Sequence, residues 1–178
     1  MNPESLFMRA AAAKLPEGSK ERAVATFALR RVWHAVFDPC PELSRLFGDK
    51  NREFLDPFLE HASAKGLTMR WSLHAHLLLW MKERGMAELS PAVAQELLAA
   101  AAARWGNEDQ TGDKGAILHC ADLKDSALVV WKPRSAEVDT RVVLVKIPEP
   151  SHPADGVYFT TFPDERYPDS LSWRPVPG

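Results

Sequence analysis

Four residues of the sequence have side chains that could together carry out acid–base chemistry on a phosphate ester: His119, Lys132, Lys146 and Thr160. Each of them falls on a different predicted strand. The histidine could take the proton of a ribose 2′-hydroxyl, and the lysines could stabilise the negative charge that builds on the phosphate. Because no short motif fixes their geometry, the plainer interpretation is favoured, in which they are ordinary edge and surface residues of a small sheet.

A second group, Arg22, Arg30 and Arg31, falls on one predicted helix. Clustered arginines can make bidentate contacts to the phosphate or carboxylate groups of a partner. Acidic residues that lie nearby in the sequence, such as Glu17 and Glu21, would weaken the positive field. A solvated helix face is therefore favoured, and a partner-binding patch is the alternative.

Aromatic residues form a third candidate site. The run Val157–Phe162 has a strong β propensity and carries an aromatic residue on each face, with Tyr158 on one of them. One interpretation is a strand covered by helices on one side and by the C-terminal tail, through Trp173, on the other. The alternative is an exposed aromatic face that binds a partner.

The sequence predicts neither a metal site nor a cofactor. His74 and His76 lie two residues apart on a predicted helix, where their side chains point about 200° apart and cannot hold one ion. Cys40 and Cys120 are far apart in the sequence, which favours two reduced thiols over a long-range disulfide. The chain also has no phosphate-binding glycine loop, no nucleophile elbow and no zinc-protease motif.

The helices and strands that position these candidates can be predicted from the sequence. In residues 1–106 the pattern predicts about five helices. Ser19 is a good N-cap, and the pair Ser90–Pro91 is typical of a helix start. Pro57 is expected at the first position of its helix, because proline lacks an N–H and clashes with a preceding turn. Gly106 is the predicted stop of the last helix.

The helix that follows Ser19 shows a 3.6-residue period. Its predicted buried stripe consists of Val24, Phe27, Ala28, Val32, Ala35 and Val36. The arginines of this helix are expected to lie largely off that stripe. A shorter, alanine-rich helix is predicted over residues 5–14.

After a polar connector, residues 107–114, the pattern changes to short β-branched runs. They predict four strands over Ala116–Cys120, Ala127–Lys132, Thr140–Ile147 and Val157–Phe162 within the region 115–163. The spacing between the runs suits antiparallel neighbours. Residues 164–178 predict a proline-rich tail that packs on the body. The expected fold is α+β: a bundle of about five helices followed by a four-stranded antiparallel β-meander, in one compact unit.

Charge and hydropathy narrow the classes of function. The chain has 178 residues and a net charge of -2, so as a whole it is not an electrostatic nucleic-acid binder. Residues 1–105 carry 14 Lys and Arg against 12 Asp and Glu, whereas residues 106–178 carry 8 against 12. The sequence predicts neither a secretory signal nor a membrane span, so a cytoplasmic protein is expected.

The order of helices and then four antiparallel strands, with His119, Lys132, Lys146 and a late strand that contains Thr160, resembles the barnase–EndoU–colicin–RelE class of metal-independent ribonucleases. The resemblance covers roughly residues 90–165 and rests on element order. It implies a metal-independent endoribonuclease. The acidic balance of this half argues against RNA as the ligand, because neutralisation of phosphates dominates nucleic-acid affinity.

The leading hypothesis is a non-catalytic binding protein, an inhibitor, adaptor or regulator, that acts through a protein–protein surface. It follows from the missing catalytic motifs, the near-neutral charge and the six tryptophans, since Trp and Arg are common interface anchors. The composition suits a bacterial or mobile-element protein. The expected contacts are the arginine group or Tyr158 with Trp173. The ribonuclease is the alternative, and a DNA-binding regulator that uses the basic helical half is the second alternative.

Overall fold

Five helices precede the strands in the part of the chain that the computed structural model describes, residues 15–68, 70–133, 140–148, 155–164 and 166–178. The helices are α1 (Lys20–Phe37), α2 (Pro41–Phe47), α3 (Asn51–Ala64), α4 (Leu73–Glu83) and α5 (Pro91–Glu108). The strands are β1 (Gly115–Cys120), β2 (Ser126–Trp131), β3 (Arg141–Lys146), β4 (Val157–Phe162) and β5 (Arg174–Pro175). The α+β class is therefore confirmed. The helix predicted over residues 5–14 lies outside the described residues.

Two helices begin where their caps predict. Ser19 Oγ accepts a hydrogen bond from the backbone N–H of Arg22 at 3.1 Å, and Ser90 Oγ accepts one from that of Val93 at 3.2 Å. Each serine satisfies a donor that the first turn of a helix leaves without an intrahelical partner. Cap chemistry thus fixes the starts of α1 and α5.

The sheet is antiparallel, and its strand order is β3-β2-β1-β4-β5. A meander would place β4 beside β3, but β4 returns to pair with β1, which gives β1 to β4 the order of a Greek key. All six residues of β1 are buried, so this strand needs a neighbour on each side. Strand β3 begins with Arg141 and ends with Lys146, charged residues that suit an edge. The predicted meander order is wrong, because it would leave the buried strand β1 at an edge of the sheet and place a second neighbour beside β3.

Both faces of the sheet are covered. Helix α5 packs on the face that carries Val130, where Gly106 of the helix lies against the Val130 and Thr140 side chains. On the opposite face, partly buried side chains of the C-terminal segment, Leu171 and Trp173, pack against a buried cluster. The cluster consists of Ile117, Ala127, Val129, Ile147 and Phe162.

The chain divides into two compact units: the described residues up to 68 together with Gly178, and Arg70–Pro177. The core of the first unit is rich in phenylalanine. The rings of Phe47 and Phe54 stack with their centroids 4.0 Å apart, and Phe37 lies 6.1 Å from Phe54. The second unit contains α4, α5 and the sheet. Cys40 and Cys120 are both buried, and no disulfide joins them.

A search of the described residues for a helix with the length and apolar character needed to span a bilayer finds none.

Candidate functional site

The four residues of the predicted ribonuclease set are spread over the sheet. Lys146 lies opposite Ser126 at one end of β2, and Lys132 follows Trp131 at the other end, six residues or about 20 Å away. His119 lies opposite Tyr158, and Thr160 lies opposite Ile117 on the same face, so only these two are close neighbours. Lys132 lies at the other end of the sheet from His119. Lys146 lies at the same end as His119, but the register places its side chain on the opposite face of the sheet.

His119 is 1% exposed and serves the fold. Its Nε2 lies 2.8 Å from the backbone oxygen of Lys124 and donates to it, which places a proton on Nε2. Lys124 has a φ of +55° and a ψ of -117°, a backbone conformation that is rare for residues other than glycine, and its oxygen meets the ring. The indole of Trp173 lies 5.8 Å from the imidazole, between ring centroids. His119 thereby joins a strand, a turn and the C-terminal segment.

Each of the two lysines is engaged with a carboxylate. Lys132 Nζ lies 2.7 Å from Asp109 Oδ2, donates to the Thr111 oxygen at 2.7 Å and sits 5.1 Å from the Trp105 ring centroid. Burial acts to raise the pKa of Asp109, but hydrogen bonds from Lys132 and Thr111 bring it below its usual value. Lys146 Nζ lies 2.6 Å from both carboxylate oxygens of Asp125 in an exposed pair.

The short helical turn Ala121–Leu123 between β1 and β2 holds a third ion pair. Lys82 Nζ of α4 lies 2.8 Å from Asp122 Oδ2. Burial acts to raise the pKa of Asp122, but the hydrogen bond and the charge of Lys82 lower it below its usual value. Burial, followed by the negative charge of Asp122, raises the pKa of the Cys120 thiol to about 12. A thiol with this pKa is protonated at neutral pH.

The two residues of the predicted aromatic site, Tyr158 and Trp173, make contacts within the chain itself. Trp173 is partly buried against the cluster opposite α5 and against His119. Tyr158 is half-buried and pairs with Pro175 of β5. The guanidinium of Arg174 lies 4.8 Å from the Phe159 ring centroid. These contacts explain how the tail is attached, and partner binding by Tyr158 and Trp173 stays a prediction.

Helix α1 corrects the predicted stripe. Its buried residues include Ala25, Val32 and Val36, whereas Val24 is 51% and Phe27 65% exposed. The predicted residues Val32 and Val36 are buried, but the prediction for Val24 and Phe27 is wrong. The buried face is centred near Ala25 and Val32, and Phe27 lies about 140° from Val32 around the helix.

The exposed side of α1 carries residues that lie within about 60° of Phe27 on the helix. We call this set the α1 stripe: Lys20, Ala23, Val24, Phe27, Arg30, Arg31 and His34, all exposed. Arg30 and Arg31 are therefore beside Phe27, and not off its face as the sequence predicted. The signal was present in the sequence, since residues three and four positions apart on a helix are neighbours.

A shallow surface hollow adjoins the α1 stripe. Small residues Ser19, Ala23 and Thr26 line it together with Phe27. Arg22 and Arg30, one turn before and one turn after Thr26, line it as well. Arg22 also donates from Nη1 to the Leu15 oxygen at 3.5 Å. An aromatic wall with two guanidinium groups around small side chains suits an acidic or amide side chain of a partner.

Among the residues that the structure describes, no group of three or more His, Cys, Asp or Glu could hold a metal ion. Arg22, Arg30 and Arg31 all lie on α1, Arg22 on the hollow and the other two on the stripe.

Comparison with known families places this structure in context. A family model described as Methanobactin biosynthesis cassette protein MbnC-like matches residues 9–177. Because the match extends over nearly all of the 178 residues, the chain belongs to this family. A search of curated proteins finds no match.

Proposed function

We propose, from the premise that the chain belongs to the MbnC-like family, that it is a non-catalytic, partner-binding protein of a bacterial methanobactin biosynthesis cassette. The observation that carries the proposal is the exposure of Val24 and Phe27 between basic residues on one helix. Large apolar side chains with neighbouring arginines are typical of the energetic centre of a protein–protein interface.

The contacts of the predicted catalytic residues support the non-catalytic part of the proposal. The His119 ring is buried with its Nε2 proton donated to a backbone oxygen. Lys132 lies at the far end of the sheet from this ring, and Lys146 lies on the opposite face. A base and a charge-stabilising group that act on one phosphate must both be within hydrogen-bond reach of it.

The experiment mixes the purified chain with each of the other proteins encoded in its cassette. Complex formation is measured by size-exclusion chromatography with light scattering, and the Kd by calorimetry. We expect a stable complex with one of them, with a Kd below about 1 µM. Absence of any complex at about 50 µM of each protein would overturn the proposal, because specific complexes bind far more tightly.

Two further measurements separate the alternatives. Total RNA incubated with the chain in EDTA is expected to stay intact, and cleavage that disappears in Lys146→Ala would support the ribonuclease instead. Duplex DNA is expected to show no retention at low salt. Retention that weakens steeply as salt rises would support the DNA-binding regulator.

A further inference from the structure

The α1 stripe changes character along its length. It begins with Lys20, its middle carries the apolar side chains of Ala23, Val24 and Phe27, and its carboxyl-terminal half carries Arg30 and Arg31. The spacing of these residues follows the i, i+3, i+4 and i+7 pattern by which a helix lies in a groove of another protein. A partner surface that accepts it must therefore be apolar in the middle and most acidic at the end that receives the two arginines.

Phe27 is the most exposed of the large apolar residues that the structure describes, at 65%. Removal of such a side chain from water favours association in proportion to the apolar area that is buried. Aromatic side chains contribute more to binding than their number suggests, because they fill well-packed pockets at the centre of an interface. Phe27 is thus the expected anchor of the stripe.

The charged half of the stripe is exposed. Within the described residues, Arg30 and Arg31 form no ion pair, whereas His34 contacts Asp38 through Nδ1 at 3.2 Å. A guanidinium without a carboxylate partner can make bidentate contacts to one supplied by another molecule. A carboxylate side chain of a partner that enters the hollow beside Phe27 would lie next to Arg30.

We infer that α1 docks in an apolar groove on a protein partner of the same cassette, and that carboxylates of the partner flank the end of the groove that receives Arg30 and Arg31. This inference rests on the proposed function. It adds the docking helix, its direction and the chemistry of the surface that receives it.

Charge complementarity and area argue against other occupants. In a two-fold dimer with antiparallel α1 helices, the arginines of each copy would face the apolar half of the other, and parallel helices would oppose arginine to arginine. An anionic membrane would receive the basic residues, but two large apolar side chains bury little area for a stable membrane anchor.

The test measures the Kd of the complex between the full chain and its cassette partner for two substitutions on the stripe. Phe27→Asp is expected to weaken binding by at least about 30-fold, the effect of losing an interface hot spot. The double variant Arg30→Glu with Arg31→Glu is expected to weaken it by about 10- to 100-fold and to reduce its dependence on salt. The matched control Arg70→Glu reverses the charge of another exposed arginine, and is expected to change the Kd less than about twofold.

The altered side chains are exposed, so circular dichroism and thermal unfolding are expected to match the wild type. Two milder variants, Phe27→Ala and the double variant Arg30→Gln with Arg31→Gln, replace them if the charge reversals disturb the helix. Each is expected to weaken binding in the same direction. Binding to phosphatidylglycerol vesicles tests the membrane as the occupant, and self-association of the chain alone tests a second copy.

Each outcome decides the inference. A complex whose Kd is unchanged by the stripe variants overturns the inference and leaves the proposed function standing. Absence of any complex overturns both. Vesicle binding or self-association that the stripe variants abolish, with the affinity for the cassette protein unchanged, overturns the choice of a protein groove as the occupant.

Discussion

At the scale of single residues, His119 shows why a buried histidine and a catalytic one look alike in a sequence. In both cases a polar residue interrupts an apolar strand. The difference lies in what meets the ring nitrogen, and here the backbone oxygen of Lys124 occupies that position at 2.8 Å. The oxygen is aimed by a residue with a φ of +55°, a conformation that nothing in a lysine predicts. The sequence therefore identified an important residue but could not give its role.

His119→Ala is expected to lower the free energy of unfolding by about 2–4 kcal/mol, because it removes a buried ring and leaves the Lys124 oxygen without this donor. Urea denaturation followed by tryptophan fluorescence measures the change. Lys146→Ala is the control, and its exposed ion pair is expected to leave the unfolding midpoint nearly unchanged. Equal midpoints for the two variants would contradict the structural role of His119.

At the scale of elements, the bounds of the strands were predictable and their neighbours were not. The predicted strand Val157–Phe162 is confirmed residue for residue, because β-branched and aromatic runs between turn residues define it locally. Its pairing with β1 depends on which strand is buried on both sides, which is a property of the whole sheet. The fifth strand, Arg174–Pro175, lies in the segment predicted as a proline-rich tail, outside the four predicted strands.

Helices show the same limit. The apolar residues of α1 extend over more than one face of the helix, and the packing of the first unit buries the face that contains Ala25 and Val32. Pro57 lies inside α3, which begins at Asn51, so its prediction as a helix start is wrong. Local signals predicted that these helices exist, but tertiary contacts decide their buried face and extent.

Gly106 is predicted from sequence as a helix stop, but α5 continues through it to Glu108. A Cβ atom added to Gly106 would lie 2.5 Å from Cγ2 of Thr140 and 3.1 Å from Cγ2 of Val130. The glycine thus permits the close approach of α5 to the sheet. The prediction of a stop is wrong, because glycine is needed here for close packing against the sheet and not to end the helix.

Gly106→Ala is therefore expected to destabilise the chain by about 1–3 kcal/mol, although alanine is the better helix former. Thr140→Ser removes the methyl group and keeps the hydroxyl that donates to Asn107 Oδ1 at 2.6 Å. The double variant Gly106→Ala with Thr140→Ser is expected to recover part of the loss. Thermal unfolding measures all three, and a Gly106→Ala variant as stable as the wild type would show that the contact with Thr140 does not limit α5.

At the scale of the whole molecule, the sequence and the structure divide the chain at different places. The change from helical to β patterns places a boundary in the connector at 107–114. The contacts divide the chain between residues 69 and 70, so that α4 and α5 belong with the sheet. The reason is physical: the Val130 face of the sheet needs a cover, and α5 supplies it.

The second unit has a core of its own, as an independently folding domain does. Its sheet is covered on one face by α5 and on the other by the segment with Leu171 and Trp173, so its core is complete within the unit. A fragment of residues 70–178 is therefore expected to unfold in one cooperative transition, with coincident changes in far-ultraviolet circular dichroism and tryptophan fluorescence.

Phe162→Ala in that fragment tests whether the transition reports this core. Phe162 is 2% exposed and lies 6.3 Å from the Trp131 ring centroid, so its truncation is expected to cost about 3–5 kcal/mol. That loss approaches the stability of a small domain, and the variant fragment is expected to be largely unfolded at 25 °C. A fragment without a cooperative transition, or one that is indifferent to Phe162→Ala, would show that the sheet needs residues 15–68 in order to fold.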